Sequence, residues 1–265
     1  MTRLALVFVF LLSAAAVAGL TRPRTLPAGL APSAVPVVVE LFTSEGCSSC
    51  PAADAALREL ETAQPLPGVE VLALGQHVDY WNRLGWKDPF SAPQFTERQR
   101  QYAAQLGSST YTPQAVINGH YELVGSRHQQ LTEAIAEAAK APRATVSLSR
   151  PSAATLAVRV TALPTGTQPA DVVLALTETG LSSQVGRGEN AGRLLQHAAV
   201  VRELRLLGAV AGTGTLAVSA PLTLQPNWKT THLRAVVLVQ ERESRRIVGV
   251  GSLPLSAQSR PAPME

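Results

Sequence analysis

Cysteine occurs twice in 265 residues, at Cys47 and Cys50, and nowhere else. The pair lies between an apolar run, Val37–Phe42, and an alanine-rich segment. Two sulfurs are thus fixed where one element ends and the next begins. Three uses of such a pair compete. A loop this short, cross-linked, is worth roughly 2 kcal/mol on the chain-entropy model, less than a longer loop would give. A chain of this length with 46% hydrophobic residues can support its own core, so folding does not require the staple. As a metal site the pair supplies half of a four-ligand zinc shell, and no second cysteine pair completes it. His77, His120, His128, His197 and His232 show no i, i+4 pairing. Copper(I) would accept the two thiolates alone or with a histidine. As a redox centre the pair gains from a helix start, whose free N–H groups and partial positive charge stabilise a thiolate. Cys47 would then attack, and Cys50, one turn in, would resolve the mixed disulfide.

The elements around the pair follow from periodicity. Val37–Phe42 is bounded by Pro36 and by Thr43–Gly46, which marks a buried strand. Ser48 to Gln64 forms a helix with Pro51 in its first turn and Ala53, Ala56, Leu57 and Leu60 on one face. Val69–Leu74 is a second buried strand, so the helix serves as a parallel crossover. A helix over 93–106 carries Phe95, Arg98, Gln99, Tyr102 and Leu106 at helical spacing. Asn118-Gly119, between Ala115–Ile117 and Tyr121–Val124, is a hairpin turn. Ser126 caps a last helix running to Ala141, and Pro142 stops it. The order is β-α-β-α-β-β-α over 37–142, with a long insertion at 77–107.

From Arg143 the texture changes. "ATLAVRVTAL" alternates, with Leu156, Val158 and Val160 on one side, and "HLRAVVLVQER" does so with Leu233, Ala235, Val237 and Val239. Further strands are expected at 145–149, 172–177, 198–206, 215–219 and 246–253. Seven strands without a helix suggest a sandwich-like all-β domain over 143–255. The expected fold class is α/β, followed by this β domain and a disordered tail at 256–265.

The N-terminus reads as a signal peptide. Arg3 precedes the uncharged run "LALVFVFLLSAAAVAGL", and Ala16-Val17-Ala18 offers a cleavage site after residue 18. A Pro- and Ala-rich leader fills 19–36. Cleavage removes one arginine and takes the formal charge from +4 to +3. No basic cluster is interleaved with aromatics, so nucleic acid is not an expected partner. No other segment is apolar enough to span a membrane. The expected location is secreted or periplasmic, in a Gram-negative bacterium, where a disulfide persists.

The Cys-x-x-Cys after the first strand and the element order resemble the thioredoxin superfamily. More closely, "ELFTSEGCSSCPAAD", "HVDYWNRLGWKDPFS", "RQRQYA", "YTPQAVING" and "GENAGRLLQH" resemble the domain-of-unknown-function 1223 family of secreted thioredoxin-like proteins, over Val37 to about Leu253. The resemblance implies a cis-proline at Pro113, just before the hairpin. It implies that the backbone beside it, at Thr112, pairs with a substrate chain. It also implies a role for Glu40, on the strand leading to the cysteines. If that carboxylate points inward, burial would raise its pKa and suit it to relay a proton to Cys50. Ser48-Ser49 replaces the Gly-Pro of thioredoxin itself, so the redox direction does not carry over.

Tyr80 and Trp81, with Asp79 and Trp86, would either wall a substrate groove or pack as a lid. Asp54 reads as an acid complementing the helix dipole. His120 reads as an exposed turn residue, and Gly188–Arg193 as a polar strand connection. No hydrolase or nucleotide-binding motif is present. The expected function is thiol–disulfide exchange on protein or small-thiol disulfides with a separate redox partner. No cofactor is expected, because the dithiol is the redox centre. The other readings are a scaffold with a locked disulfide and a copper-binding protein.

Overall fold

A computed structural model describes residues 34–256. The signal peptide expected at 1–18, most of the leader and the tail beyond 256 lie outside the described residues. The described residues form one compact unit.

Strand β1 spans Val35–Thr43 and starts two residues earlier than the apolar run suggests, because Val35 N–H bonds to the carbonyl of Gly68. Helix α1 is Cys50–Ala63, and β2 is Val69–His77, parallel to β1 with Val39 opposite Ala73. Helix α2 is Pro93–Leu106. The hairpin β3, Gln114–Ile117, and β4, Tyr121–Val124, turns at Asn118 and Gly119, both at positive φ. A side chain at Gly119 would also collide with the carbonyl of Arg245. Helix α3 is His128–Ala138. Its N-cap is Arg127, with no side-chain cap bond, so the expected capping by Ser126 does not occur.

The β-rich part holds β5, Thr145–Ser152; β6, Thr155–Thr161; β7, Ala170–Glu178; β8, Ser182–Gln184; β9, Leu194–Gln196; β10, Val200–Val210; β11, Leu216–Pro221; β12, Leu233–Glu241; and β13, Ile247–Pro254. The fold is therefore α/β followed by a β-rich portion, but the two share one sheet. Eight strands run in the order β13-β12-β7-β10-β2-β1-β3-β4. The join is the pairing of Val200 with Gly75. Gly75 N–H reaches the carbonyl of Ala199 at 2.6 Å, and a Cβ on Gly75 would lie 3.1 Å from that oxygen. The boundary expected at 142 is thus spanned by a continuous sheet.

Three layers of apolar side chains follow. Val37, Val39 and Leu41 face α1 and α3 with Leu57, Leu60, Leu131 and Ile135. Val38, Leu72, Leu74 and Phe95 pack against Ala175, Val236, Leu238 and Val250 from the β-rich part. The three-stranded sheet β11-β6-β5 covers the other face of β7 and β12, where Leu156, Val158 and Val160 meet Leu174, Ala235 and Val237. The expected sandwich is present, and one of its two sheets is the extended one. Among the described residues no helix is long and apolar enough to cross a membrane.

Candidate functional site

The loop after β1 places both sulfurs. β1 ends at Thr43, the chain turns through Ser44–Ser49, and Cys50 is the first residue of α1 with Pro51 directly behind it. Cys47 and Cys50 form a disulfide with Cα atoms 5.4 Å apart. Each cysteine is 1% exposed, while Ser48 and Ser49 face solvent. The Ser49 hydroxyl lies 3.4 Å from the Cys47 sulfur, which has no proton of its own to donate.

The cover comes from two distant segments. Asn190, fully buried in the β8–β9 connection, donates from Nδ2 to the carbonyls of Glu45 and Cys47, each at 2.9 Å. Glu189 accepts the Ser48 N–H at 2.9 Å. Trp86 lies under the same connection, its ring 3.1 Å from where a Cβ on Gly186 would stand, and its indole N–H donates to Glu45 Oε2 at 2.7 Å. Trp81 crowds Gly46, leaving only 3.2 Å to a Cβ there, and its N–H donates to the Thr112 hydroxyl at 2.9 Å.

Below the loop is a buried polar cluster. Asp88 Oδ2 lies 2.6 Å from His77 Nδ1 and also accepts the Glu45 N–H, while Oδ1 accepts the Phe90 N–H. Burial opposes ionising Asp88, but the His77 charge and these hydrogen bonds outweigh it and hold its pKa low. The carboxylate can only accept, so His77 Nδ1 donates. For His77 burial disfavours the imidazolium, yet Asp88, with Asp54 and Glu45 behind it, raises its pKa overall. Asp54 accepts the Thr43 hydroxyl at 2.8 Å and the Ala198 N–H at 3.3 Å. His197 completes the group, its Nε2 3.1 Å from Glu45 Oε1.

The family model described as "Protein of unknown function (DUF1223)" matches residues 38–240, a span that contains the cysteine loop, its cover and the buried cluster. The chain belongs to the DUF1223 family. Among solved structures, protein AGR_C_4864 from Agrobacterium tumefaciens is 30% identical, with a TM-score of 0.68 over 87% of this chain and 98% of that one. A domain of the outer membrane lipoprotein Omp28 from Porphyromonas gingivalis is 10% identical over 44% of this chain and 89% of that one. Its TM-score of 0.29 is too low to carry an argument. No curated protein matches.

In this DUF1223 chain the expected site residues divide. Trp81 joins Thr112 to the cysteine loop, bonding the Thr112 hydroxyl and packing on Gly46, the neighbour of Cys47. The Thr112–Pro113 peptide is cis. Pro113 precedes Gln114, which pairs with Phe42, so it stands at the end of β1 from which the cysteine loop leaves. Tyr80 lies beside Gln99 and Thr112 and also lines a cavity with Asp79, Arg83, Thr96 and Arg100. Trp86 packs under the cover instead of walling a groove.

Glu40 is a correction. It points inward on the face toward α2, not toward α1. Arg98 holds both carboxylate oxygens, and Tyr102 and Gln76 donate to them. Burial would raise its pKa, but the Arg98 charge and these donors outweigh it, and the pKa is lowered. A carboxylate held ionised this way lacks the raised pKa that proton relay was expected to use. Asp54 is a second correction: it lies past the first turn of α1, buried and hydrogen-bonded to Thr43 and Ala198, and is not an acid complementing the helix dipole there.

The sequence reading named His77, His197 and Asn190 singly, missed Glu45 and Asp88, and joined none of the five into a site. Each sits alone in sequence, and 120 residues separate the two histidines. The one available signal was polarity inside apolar context, as in "LALGQH", where a strand otherwise buried ends in Gln76 and His77. Beside the cluster, a cavity of about 620 Å3 is lined by Arg58, Glu61, His197, His232 and Arg234. Burial there raises Glu61 to about 7, although Arg234 opposes the shift.

Proposed function

We propose that the chain is a secreted, thioredoxin-like thiol–disulfide exchange protein whose centre is Cys47–Cys50. The observation that carries this reading is the disulfide itself, formed between the chain's two cysteines at the junction of β1 and α1. The strand order β2-β1-β3-β4 and the helix alternation support the thioredoxin-like comparison. The charged start and apolar run of residues 1–18 support export to an oxidising compartment.

In the reduced state, Cys47 as thiolate attacks one sulfur of a substrate disulfide, and the other substrate sulfur leaves as a thiolate. Cys50, deprotonated, then attacks Cys47 and expels the second substrate thiolate. Two electrons pass to the substrate and the Cys47–Cys50 disulfide forms; the reverse sequence oxidises a substrate dithiol. The N-terminus of α1 favours the thiolate. With Cys47 buried, exchange requires the Gly188–Arg193 segment to lift, breaking the Asn190 and Glu189 bonds.

That burial also favours a second reading, in which the disulfide is locked and the protein is a scaffold. The reduction potential separates the two, measured in glutathione buffers with thiol trapping. A potential of roughly −120 to −270 mV supports exchange. A potential below about −300 mV, with Cys47 unreactive toward a disulfide reagent after reduction, supports the lock.

A further inference from the structure

Below the cysteine loop, Asp54, His77 and His197 bring buried ligand atoms close together, and Glu45 lies beside His197. His77 Nε2, His197 Nε2 and Glu45 Oε1 are buried polar atoms with no hydrogen-bond partner. Buried polar atoms are ordinarily paired, and three unpaired within one cluster call for something to sit between them. Their residues are 1%, 3% and 1% exposed. His197 Nε2 and Glu45 Oε1 are 3.1 Å apart yet not aligned as a hydrogen bond. Neighbouring ligands of one tetrahedral zinc ion stand about 3.3 Å apart, given metal–ligand bonds of about 2.0–2.1 Å. Ligand atoms of Asp54, His77 and His197 all fall within 4.8 Å of one another. Closing them on an ion asks for under about 1 Å of movement from each.

We infer that Asp54, His77 and His197 form a buried site for a divalent transition metal of the zinc class, with Glu45, whose Oε1 stands 3.1 Å from His197 Nε2, at its edge as the fourth protein ligand. Two imidazoles and the Asp54 carboxylate are a nitrogen–oxygen set suited to zinc, and Glu45 would close the shell by swinging in from beside His197. The outer contacts match what such a site needs. Asp88 takes the His77 Nδ1 proton and leaves Nε2 as the free lone pair, which is how a carboxylate orients a ligating histidine. Thr43 steadies Asp54, and Trp86 steadies Glu45. Phe90 flanks both imidazoles, with ring centroids at 5.4 and 5.3 Å. The ion would join the end of β2, the cysteine loop, α1 and the entry to β10, four segments from distant parts of the chain. The inference is independent of the exchange reading, since both sulfurs are engaged with each other.

The test uses the mature full-length protein, kept oxidised and stripped by chelation. Titration with Zn2+ followed by calorimetry should give one equivalent per chain and a raised melting temperature. Co2+ should give visible absorption of a nitrogen–oxygen site with no sulfur charge-transfer band. His197→Gln and His77→Gln should each weaken binding at least about tenfold, while His120→Gln, at an exposed turn, should not. If the histidine variants misfold, the wild-type Co2+ spectrum still decides. No stoichiometric binding, affinity unchanged in either histidine variant, or a sulfur-to-cobalt band would overturn the site. Bound water, rather than metal, would then be the filler.

Discussion

Glu40 has no water to solvate it and four donor contacts instead. Arg98 supplies two of them, Tyr102 one and Gln76 one, and Gln240 ties the group to β12 through Tyr102 and Arg98. Removing one partner of such a pair strands the other charge in the interior. Glu40→Gln should therefore destabilise the protein by about 3–5 kcal/mol in urea unfolding at pH 7. The pH dependence has a definite sign. The folded pKa lies below the unfolded value of 4.5, so the contribution is full above that value. It is lost as pH falls through the folded pKa. Wild type should lose stability below about pH 4.5 more steeply than Glu40→Gln. If Glu40 instead relays protons to Cys50, the variant would slow exchange at unchanged stability.

At the scale of elements, the β8–β9 connection is bound to the backbone of the cysteine loop through Glu189 and Asn190. The sequence showed "GENAGR" as a turn-rich polar loop and nothing of where it rests. Its place follows from Asn190, whose amide donates to the carbonyls of Glu45 and Cys47 in the cysteine loop, the second of which also accepts the Cys50 N–H. Leaving the buried Glu45 carbonyl without its donor costs about 1–3 kcal/mol. Asn190→Ala should loosen the cover and speed reduction of Cys47–Cys50 by dithiothreitol several-fold, measured by thiol trapping. An unchanged rate would show that the cover does not limit access. The short strands β8 and β9 that present this loop, three residues each, carry too little alternation to be legible. The longer elements were legible: α2 starts and ends where Pro93 and Gly107 place it, and the hairpin turns at Asn118-Gly119.

Residues 34–256 are held as one unit because β7 and β12 are buried on two faces. One face meets β6, and the other meets Phe95, Leu72 and Leu74. Each apolar side chain so covered is worth about 1.5–3 kcal/mol. Unfolding should therefore be a single transition with equal calorimetric and van't Hoff enthalpies. A fragment ending at residue 142 should show no cooperative transition, since it exposes Val38, Leu72, Leu74 and Phe95 and loses Gln240. Two resolved transitions, or a stable fragment, would show that the shared sheet does not couple the two parts.

Local pattern determined much of this protein. Strand alternation, helix periodicity, Pro51, Gly119 and the cysteine spacing act over a few residues, so the sequence alone places those elements and puts the sulfurs at a strand–helix junction. It could not decide what those elements pack against. "HLRAVVLVQER" alternates well enough to suggest one buried face, yet Val236 and Leu238 on the other face are equally buried. Only the folded sheet sets β10 beside β2, and only that join brings His197 to His77 and Asn190 to Cys47. These contacts depend on long-range register, which no local period encodes. The pKa of Glu40 depends in the same way on Arg98, 58 residues away, so its direction was set by tertiary structure alone.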